Sequence, residues 1–409
     1  MGPSAYIALI VMVVGALIGA GGLLFAGVFM GMVLVLRSLW SRYGLHALEY
    51  ERHISAHRVL WGERLDLDLI VRNGKPLPLP WLRIDDTITH GAEIVGRELT
   101  PSVQRGFDIL RETWSIGWFE KVTRHFEIVG TRRGSYHFVS AELRVADLFA
   151  STDQIEERPI STSYRVVPRI VTVRSAMTDS AVGSVKATTG LYEEPSLFAG
   201  VRPYQPGDQL RRIHWKASAR LGVPVSRRYD PAREREVLIA VDMQTMPGDW
   251  WMLNWDDDLV EGLCVAALSL ARTLMGDGIA AGLAVNAFSD RPKRTVFVPP
   301  NAAAGQLAAM ADVLADVSPY ASLSFERLLA DVARRATPGC SVIALSSRDP
   351  LKFVAALRRL RSQGYAVAVA SFGPDAGRWS VHARSLRMPS AGYRLDPDWQ
   401  TADALERVA

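Results

Sequence analysis

Residues 5–36 carry no charged side chain. An apolar run of that length decides more than any other feature what this chain can fold into. As one helix it would reach roughly 48 Å, well beyond a hydrocarbon core of about 30 Å. Gly19, Gly21 and Gly22 interrupt it, and glycine is where a helix most easily breaks and turns. The run therefore predicts a helical hairpin, roughly 4–19 and 22–39. Gly15, Gly19, Gly27 and Gly31 would let the two helices approach closely. One tilted helix and a signal peptide are the alternatives. A signal peptide needs a basic leading region and a shorter apolar stretch, and no basic residue precedes this run. Arg37, Arg42, Arg52 and Arg58 follow it, and the positive-inside rule places that side in the cytoplasm. The expected location is the inner (plasma) membrane, multi-pass, with the soluble domains in the cytoplasm.

The rest of the chain has globular composition. Of 409 residues, 48% are hydrophobic and 22% charged, which excludes general disorder and predicts two or three folding units. The net charge of +4 is too mild to argue for nucleic acid. Cys264 and Cys340 lie far apart in apolar runs, so they read as buried core residues; no disulfide or zinc spacing is offered. Between residues 48 and 170, short alternating segments are separated by turn signals such as Asn73-Gly74 and Arg133-Gly134. Leu65, Leu67, Leu69 and Val71 alternate with more polar neighbours. No long amphipathic helix interrupts this pattern, which predicts an antiparallel β-sandwich over residues 41–170. His53 and His57 read as strand residues too far apart to chelate one ion. Trp114 and Trp118 read as core or turn-packing residues.

From residue 236 the period changes. Residues 237–242 form a buried-strand run ending in Asp242. A helix is expected at 257–275, a strand at 279–288, a short edge strand at 294–298, helices at 302–316 and 324–336, a strand at 341–345, a helix at 350–363 and a strand at 365–371. Strands alternating with helices at these lengths predict a mostly parallel sheet covered on both faces, over residues 236–390, with 391–409 left as a C-terminal tail. Such sheets bind ligands outside the carboxyl ends of their strands. Asp242 is at one such end, in Asp242-Met-Gln244-Thr-Met246. This resembles the place where von Willebrand factor A domains carry Asp-x-Ser-x-Ser around Mg²⁺. Gln244 and Met246 replace the two hydroxyls, and a thioether suits hard Mg²⁺ poorly. Asp242 therefore reads as a vestigial metal-site position, and no cofactor or metal is expected. Trp250, Trp251 and Trp255 crowd the loop that follows. They read either as a partner-binding surface or as a lid over the vacant site or a contact with the β-domain.

Residues 171–235 join the two halves. Between Arg202 and Arg235 there are nine basic residues against Asp208, Asp230 and Glu234. Pro206-Gly207 suits the middle of a type II turn, and Asp208 would then cap a short helix with Leu210, Ile213 and Ala217 on one face. One reading of the cluster is an internal ion network, with Asp208 bridging Arg211 or Arg220 and Trp215 buried beneath. The other is a basic surface for an acidic partner, or for phosphate or lipid headgroups.

The string Arg202-x-Tyr204-x-Pro206-Gly207-Asp208-x-x-Arg211-x-Ile213-x-Trp215-x-x-Ser218-Ala219-Arg220 resembles the signature of the bacterial family catalogued as domain of unknown function 58. Arg132-Arg133-Gly134-x-Tyr136 and Tyr164-x-Val166-x-Pro168 extend the likeness. His214, where an aspartate is common, and Val145-Ala-Asp147-Leu-Phe149 depart from it. The resemblance implies paired N-terminal membrane helices, a β-domain and a von Willebrand factor A-like α/β domain. It also implies a MoxR-type AAA+ ATPase as partner, often beside a transglutaminase-like membrane protein, and hence an adaptor role in assembly or maturation of a client complex. It supplies no reaction. The sequence has no phosphate-binding P-loop, dinucleotide fingerprint, nucleophile elbow or H-E-x-x-H. Asp208, His214 and Ser218 could mimic an acid–base–nucleophile set, so a hydrolase or metal-dependent enzyme built on the signature is the alternative to a non-enzymatic adaptor.

Overall fold

The computed structural model describes residues 3–146, 153–173, 198–205, 213–229, 236–252, 254–289, 295–394 and 404–408. The chain divides into two compact units, Met1–Val167 and Pro168–Ala409.

The first unit opens with two apolar helices, α1 (Pro3–Ile18) and α2 (Gly21–Tyr43). Gly19, at φ +68°, makes the break between them. A Cβ on Gly15 would stand 2.4 Å from the backbone nitrogen of Leu24, and one on Gly27 would stand 2.6 Å from that of Met12. Those two glycines are where the helices touch; Gly31 has nothing within 4 Å of such a Cβ. α2 has 23 residues, about 35 Å, and is long and apolar enough to cross a membrane. α1, with 16 residues, is short for a span. The apolar side chains of both are largely exposed, Leu17 and Phe25 among them.

A sheet-rich region follows. Its strands are β1 (Leu48–Ile54), β2 (Arg58–Leu60), β3 (Arg64–Asn73), β4 (Leu79–Thr89), β5 (Glu93–Ile94), β6 (Thr100–Pro101), β7 (Phe107–Ile116), β8 (Lys121–Val129), β9 (Gly134–Ala146), β10 (Asp153–Arg158) and β11 (Thr162–Val167). One sheet runs β1-β3-β8-β5; the other runs β2-β11-β9-β4-β7-β6, with β10 also on β9. Every pairing is antiparallel except β11 with β2. The alternation in β3 turns Leu65, Leu67, Leu69 and Val71 inward, where they share one core with Leu82, Ile84, Ile88 and Trp114 of the other sheet. A buried polar pair also joins the sheets: Arg52 of β1 lies 3.4 Å from Asp86 of β4, and Tyr50 donates a hydrogen bond to Asp86. Tyr136 donates to the carbonyl of Arg132 at 3.0 Å, closing the turn that the Arg-Arg-Gly-x-Tyr pattern encodes. Trp114 is buried, with the Arg124 guanidinium 4.1 Å above its ring. Trp118, expected to pack, is 70% exposed; it lies in the loop after β7, beyond the reach of the core.

The second unit is mixed α/β. Its elements are β12 (Thr172–Val173), β13 (Phe198–Pro203), α3 (Trp215–Leu221), β14 (Val225–Tyr229), β15 (Glu236–Val241), α4 (Asp257–Gly276), β16 (Ala280–Val285), β17 (Val296–Asn301), α5 (Gln306–Asp316), α6 (Phe325–Arg335), β18 (Ser341–Ser346), a 3-10 turn (Pro350–Phe353) running into α7 (Val354–Ser362), β19 (Ala366–Phe372), α8 (Ala376–Ser385), β20 (Ser390–Arg394) and β21 (Ala404–Val408). Eight of these strands form one sheet, β12-β21-β20-β19-β18-β15-β16-β17. β15 pairs in parallel with both β16 and β18, as β19 does with β18 and β20; β17 and β21 enter antiparallel. Leu238 and Ala240 of β15 join a core built with α6 and α7, while Val237, Ile239 and Val241 are equally buried. A strand covered on both faces reads as a continuous apolar run. α4 is also long and apolar enough to cross a membrane, yet twelve of its residues are buried. It is a core helix, capped by Asp256, which accepts from the Leu259 N–H.

The segment expected to be a tail from 391 instead carries sheet strands. Tyr393 and Leu405 are wholly buried, and the absence of a Cβ at Gly392 lets β20 pass the Ala376 carbonyl, which a Cβ there would approach to 2.6 Å. Five-residue strands with mixed sequence give too weak an alternation to be read in advance.

Candidate functional site

Three neighbouring parallel strands end side by side: β18, β15 and β16. Each places a polar residue at its carboxyl end. Asp242 follows β15 and is 0% exposed; Asn286 follows β16 and is also 0% exposed; Ser346 closes β18 at 1%. Two residues on, Arg348 turns back over them. Its Nε donates to Asp242 Oδ2 at 2.7 Å, and its Nη2 lies 2.6 Å from the same oxygen. Ser346 Oγ donates to Oδ2 at 2.9 Å and accepts from the Arg348 N–H at 3.1 Å. Asn286 Nδ2 donates to Asp242 Oδ1 at 3.0 Å and to the Leu323 carbonyl at 3.1 Å; its Oδ1 accepts from the Met243 N–H at 2.7 Å. The Gln244 N–H adds a further bond to Oδ1 at 3.2 Å.

Both carboxylate oxygens of Asp242 are thus committed, and the charge is balanced by a guanidinium. A buried carboxylate requires a cation and several donors. At the position where the sequence suggested a lapsed metal site, Arg348 is that cation. Gln244 has turned away: its Nε2 donates to the Gly248 carbonyl at 2.6 Å. Among the described residues, no three His, Cys, Asp or Glu side chains gather to hold a metal ion. Sequence reasoning missed Arg348 and Asn286. The rule that strand carboxyl ends converge would have found Asn286, the first polar residue after β16; nothing in the sequence points to Arg348.

The three tryptophans of the next loop differ in role. Trp255 is half-buried, its ring 5.5 Å from Tyr320 and its indole N–H donating to Asp257 at 2.8 Å. Trp250 and Trp251 meet edge to face at 5.8 Å. Trp251 is 60% exposed, and Met252 beside it is exposed as well. Trp255 is therefore architecture, and Trp251 an exposed aromatic in the loop between β15 and α4.

The family-like signature is only partly described: Pro206, Gly207, Asp208 and Arg211 lie outside the described residues. The described part is a hairpin with a helix in its turn. β13 and β14 pair antiparallel, Arg202 opposite Ser226. Tyr204 extends the pairing by donating its N–H to the Pro224 carbonyl at 3.0 Å. Ile213, expected on a helix face, is instead buried in a bridge to Ser226. α3 starts later than Asp208 could serve. Its cap is His214, whose Nδ1 accepts from the Ala217 N–H at 3.1 Å. Ser218 Oγ donates to the His214 carbonyl at 3.2 Å and accepts from the Val225 N–H at 3.0 Å, tying helix to strand. Gly222, at φ +70°, ends the helix. Among the described residues, His214 caps α3 and Ser218 ties it to β14; Asp208, the third member of the acid–base–nucleophile set, lies outside them. Trp215, read as buried beneath an ion network, is 69% exposed, and Arg220 is exposed as well. A seven-residue helix that buries none of its residues has no core to put a tryptophan in.

With this geometry in hand, the likenesses to known proteins are these. Residues 200–372 match the family model described as protein of unknown function DUF58. The match takes in the hairpin, Asp242, the tryptophan loop and Arg348. Uncharacterized protein YeaD of Bacillus subtilis (strain 168) is 22% identical over 249 residues, covering 60% of this chain and 58% of that one. This chain thus spans a little over half the length of that relative. Among solved structures, the CARDB domain of the PF1109 protein from Pyrococcus furiosus aligns over 30% of this chain and 90% of its own at 16% identity, with a TM-score of 0.20. A non-cellulosomal cohesin from Archaeoglobus fulgidus aligns over 29% and 91% at 9% identity, also with a TM-score of 0.20. Scores this low assign no fold.

Proposed function

We propose that this chain is a membrane-anchored docking protein, its folded units on the cytoplasmic side, that works with a MoxR-type AAA+ ATPase in assembling or maturing a client complex. On this reading α1 and α2 hold the chain in the membrane and Arg37 and Arg42 mark the cytoplasmic side. The α/β unit is a von Willebrand factor A-like domain that has exchanged its metal for Arg348, and a transglutaminase-like membrane protein is a second neighbour. The chain is not itself an enzyme.

The observation that carries this reading lies at the strand ends. The one buried carboxylate there is consumed by Arg348, Ser346 and Asn286, while Trp251 and Met252, in the loop that follows Asp242, are left exposed. Chemistry needs a group that is poised; docking needs an uncovered anchor, and tryptophan is the residue most enriched among such anchors. The test uses full-length protein in lipid nanodiscs and the purified MoxR-type ATPase encoded by the same genome. Trp251→Ala should weaken binding by more than tenfold, about 1.4 kcal/mol or more, with the melting temperature unchanged. Equal binding by wild type and variant removes this surface from the interface. Turnover of an ester, peptide or phosphoester by the purified chain, lost on Ser218→Ala, would replace docking with catalysis.

A further inference from the structure

The hairpin β13–α3–β14 carries a second surface of different character. In sequence, residues 198–205 and 213–229 contain no acid, and Arg202, Lys216 and Arg220 are basic. Large apolar side chains stand out from the same small element: Trp215 is 69% exposed, Leu221 59%, Val223 56% and Val201 40%. α3 buries none of its own residues. What holds it is its tie to β14, through Ser218 on the Val225 N–H and through the buried Ile213 and Ser226. Among the described residues, the element is thus fixed at its base, with these four apolar side chains exposed.

We propose that this hairpin rests on the membrane surface, with Trp215, Leu221 and Val223 entering the interfacial layer and Lys216 and Arg220 meeting anionic lipid headgroups. Tryptophan and aliphatic side chains interleaved with lysine and arginine are the composition of elements that lie in a bilayer interface. Trp215 and Leu221 lie six residues apart on α3, Val223 follows the helix and Val201 lies on β13, so the exposed apolar groups are scattered over the hairpin rather than repeated at the spacing of one helix stripe. That offers no shaped face for a partner helix, whereas a lipid interface needs only apolar reach and positive charge. The nine-to-three excess of basic over acidic residues from Arg202 to Arg235 complements an anionic leaflet. The inference rests on the reading that α1 and α2 anchor the chain in a membrane, which would keep the hairpin close to lipid at high effective concentration.

The test uses the full chain in nanodiscs. Cys264 and Cys340 are buried, so a cysteine introduced by Leu221→Cys can be labelled selectively with an environment-sensitive dye. Val381→Cys, an exposed position on α8, serves as control. With spin-labelled lipid in discs containing phosphatidylglycerol, the dye at 221 should be quenched and blue-shifted and the dye at 381 should not. Lys216→Gln with Arg220→Gln, or salt near 0.5 M, should lower the quenching at 221 by more than half, with the melting temperature unchanged. Equal quenching at 221 and 381 overturns the proposal. A response at 221 to poly-glutamate in neutral discs, without one to phosphatidylglycerol, also overturns it and assigns the hairpin to an acidic protein. Failure of the chain to enter discs at all is a distinct result: it sinks the membrane anchor itself, and this proposal with it.

Discussion

At the scale of single residues, two buried carboxylates show how this chain manages charge. Asp242 is neutralised by Arg348 and held by three further hydrogen bonds, from Ser346, Asn286 and the Gln244 N–H. Removing the guanidinium leaves a buried charge without its counter-ion. Arg348→Met, close in volume, is expected to destabilise the α/β unit by about 3–5 kcal/mol, read as a lower melting temperature that divalent cations do not restore. Recovery with Mg²⁺ would mean the metal site is intact beneath the arginine. Asp86 is the second case. Burial pushes its carboxyl up to about 6 from 3.8, against the pull of Arg52 and the Tyr50 hydrogen bond. A carboxyl that holds its proton more tightly folded than unfolded contributes stability below about pH 4 and loses it as pH rises through about 6. Denaturation of wild type between pH 4 and 7 should therefore include a downward component that Asp86→Asn lacks. Identical pH slopes in the two proteins would show that Asp86 does not titrate in this window.

Helices and strands differ in how much of them the sequence could disclose. The helical hairpin was legible because its signal is long and its breaks are glycines: 4–19 and 22–39 become α1 and α2, with α2 running on through Tyr43. The glycines were legible only as a group; that Gly15 and Gly27 touch and Gly31 does not depends on the crossing of the two helices. Gly27→Ala should then force α1 and α2 apart and Gly31→Ala should not, measured by disulfide crosslinking between cysteines placed on the two helices; equal yields would place the contact elsewhere. The core strands β3, β15, β18 and β19 were readable from alternation or from continuous apolar runs. β20 and β21 were not, because they are short and their stability comes from contacts distant in sequence: Leu405 is buried. For α3 the short helix was legible, but its start at Trp215 behind a His214 cap was not. The site followed the same division. Asp242 was visible as an acid after a strand; its partners were not, since Asn286 and Arg348 lie 44 and 106 residues away and meet it only through the order β18-β15-β16.

At the scale of the whole chain, the surfaces are sorted by chemistry. Large exposed apolar side chains lie along α1 and α2, in the Trp251 loop, in the α3 hairpin and at Trp118 and Phe119 after β7; on the proposed reading the first three would meet lipid interior, protein partner and lipid surface. Large exposed apolar side chains grouped in this way mark places where something else completes the surface. Membrane anchoring and capture of the ATPase are tested together by one measurement in intact cells. Trp251 is replaced by p-benzoylphenylalanine in the full-length chain, and Val381 likewise as control. After irradiation, the membrane fraction is analysed for crosslinked products by mass spectrometry. The account predicts a membrane-bound adduct between position 251 and the MoxR-type AAA+ ATPase, absent at position 381. An adduct with the ATPase that forms equally from both positions, or a chain found in the soluble fraction with no adduct from position 251, would contradict it.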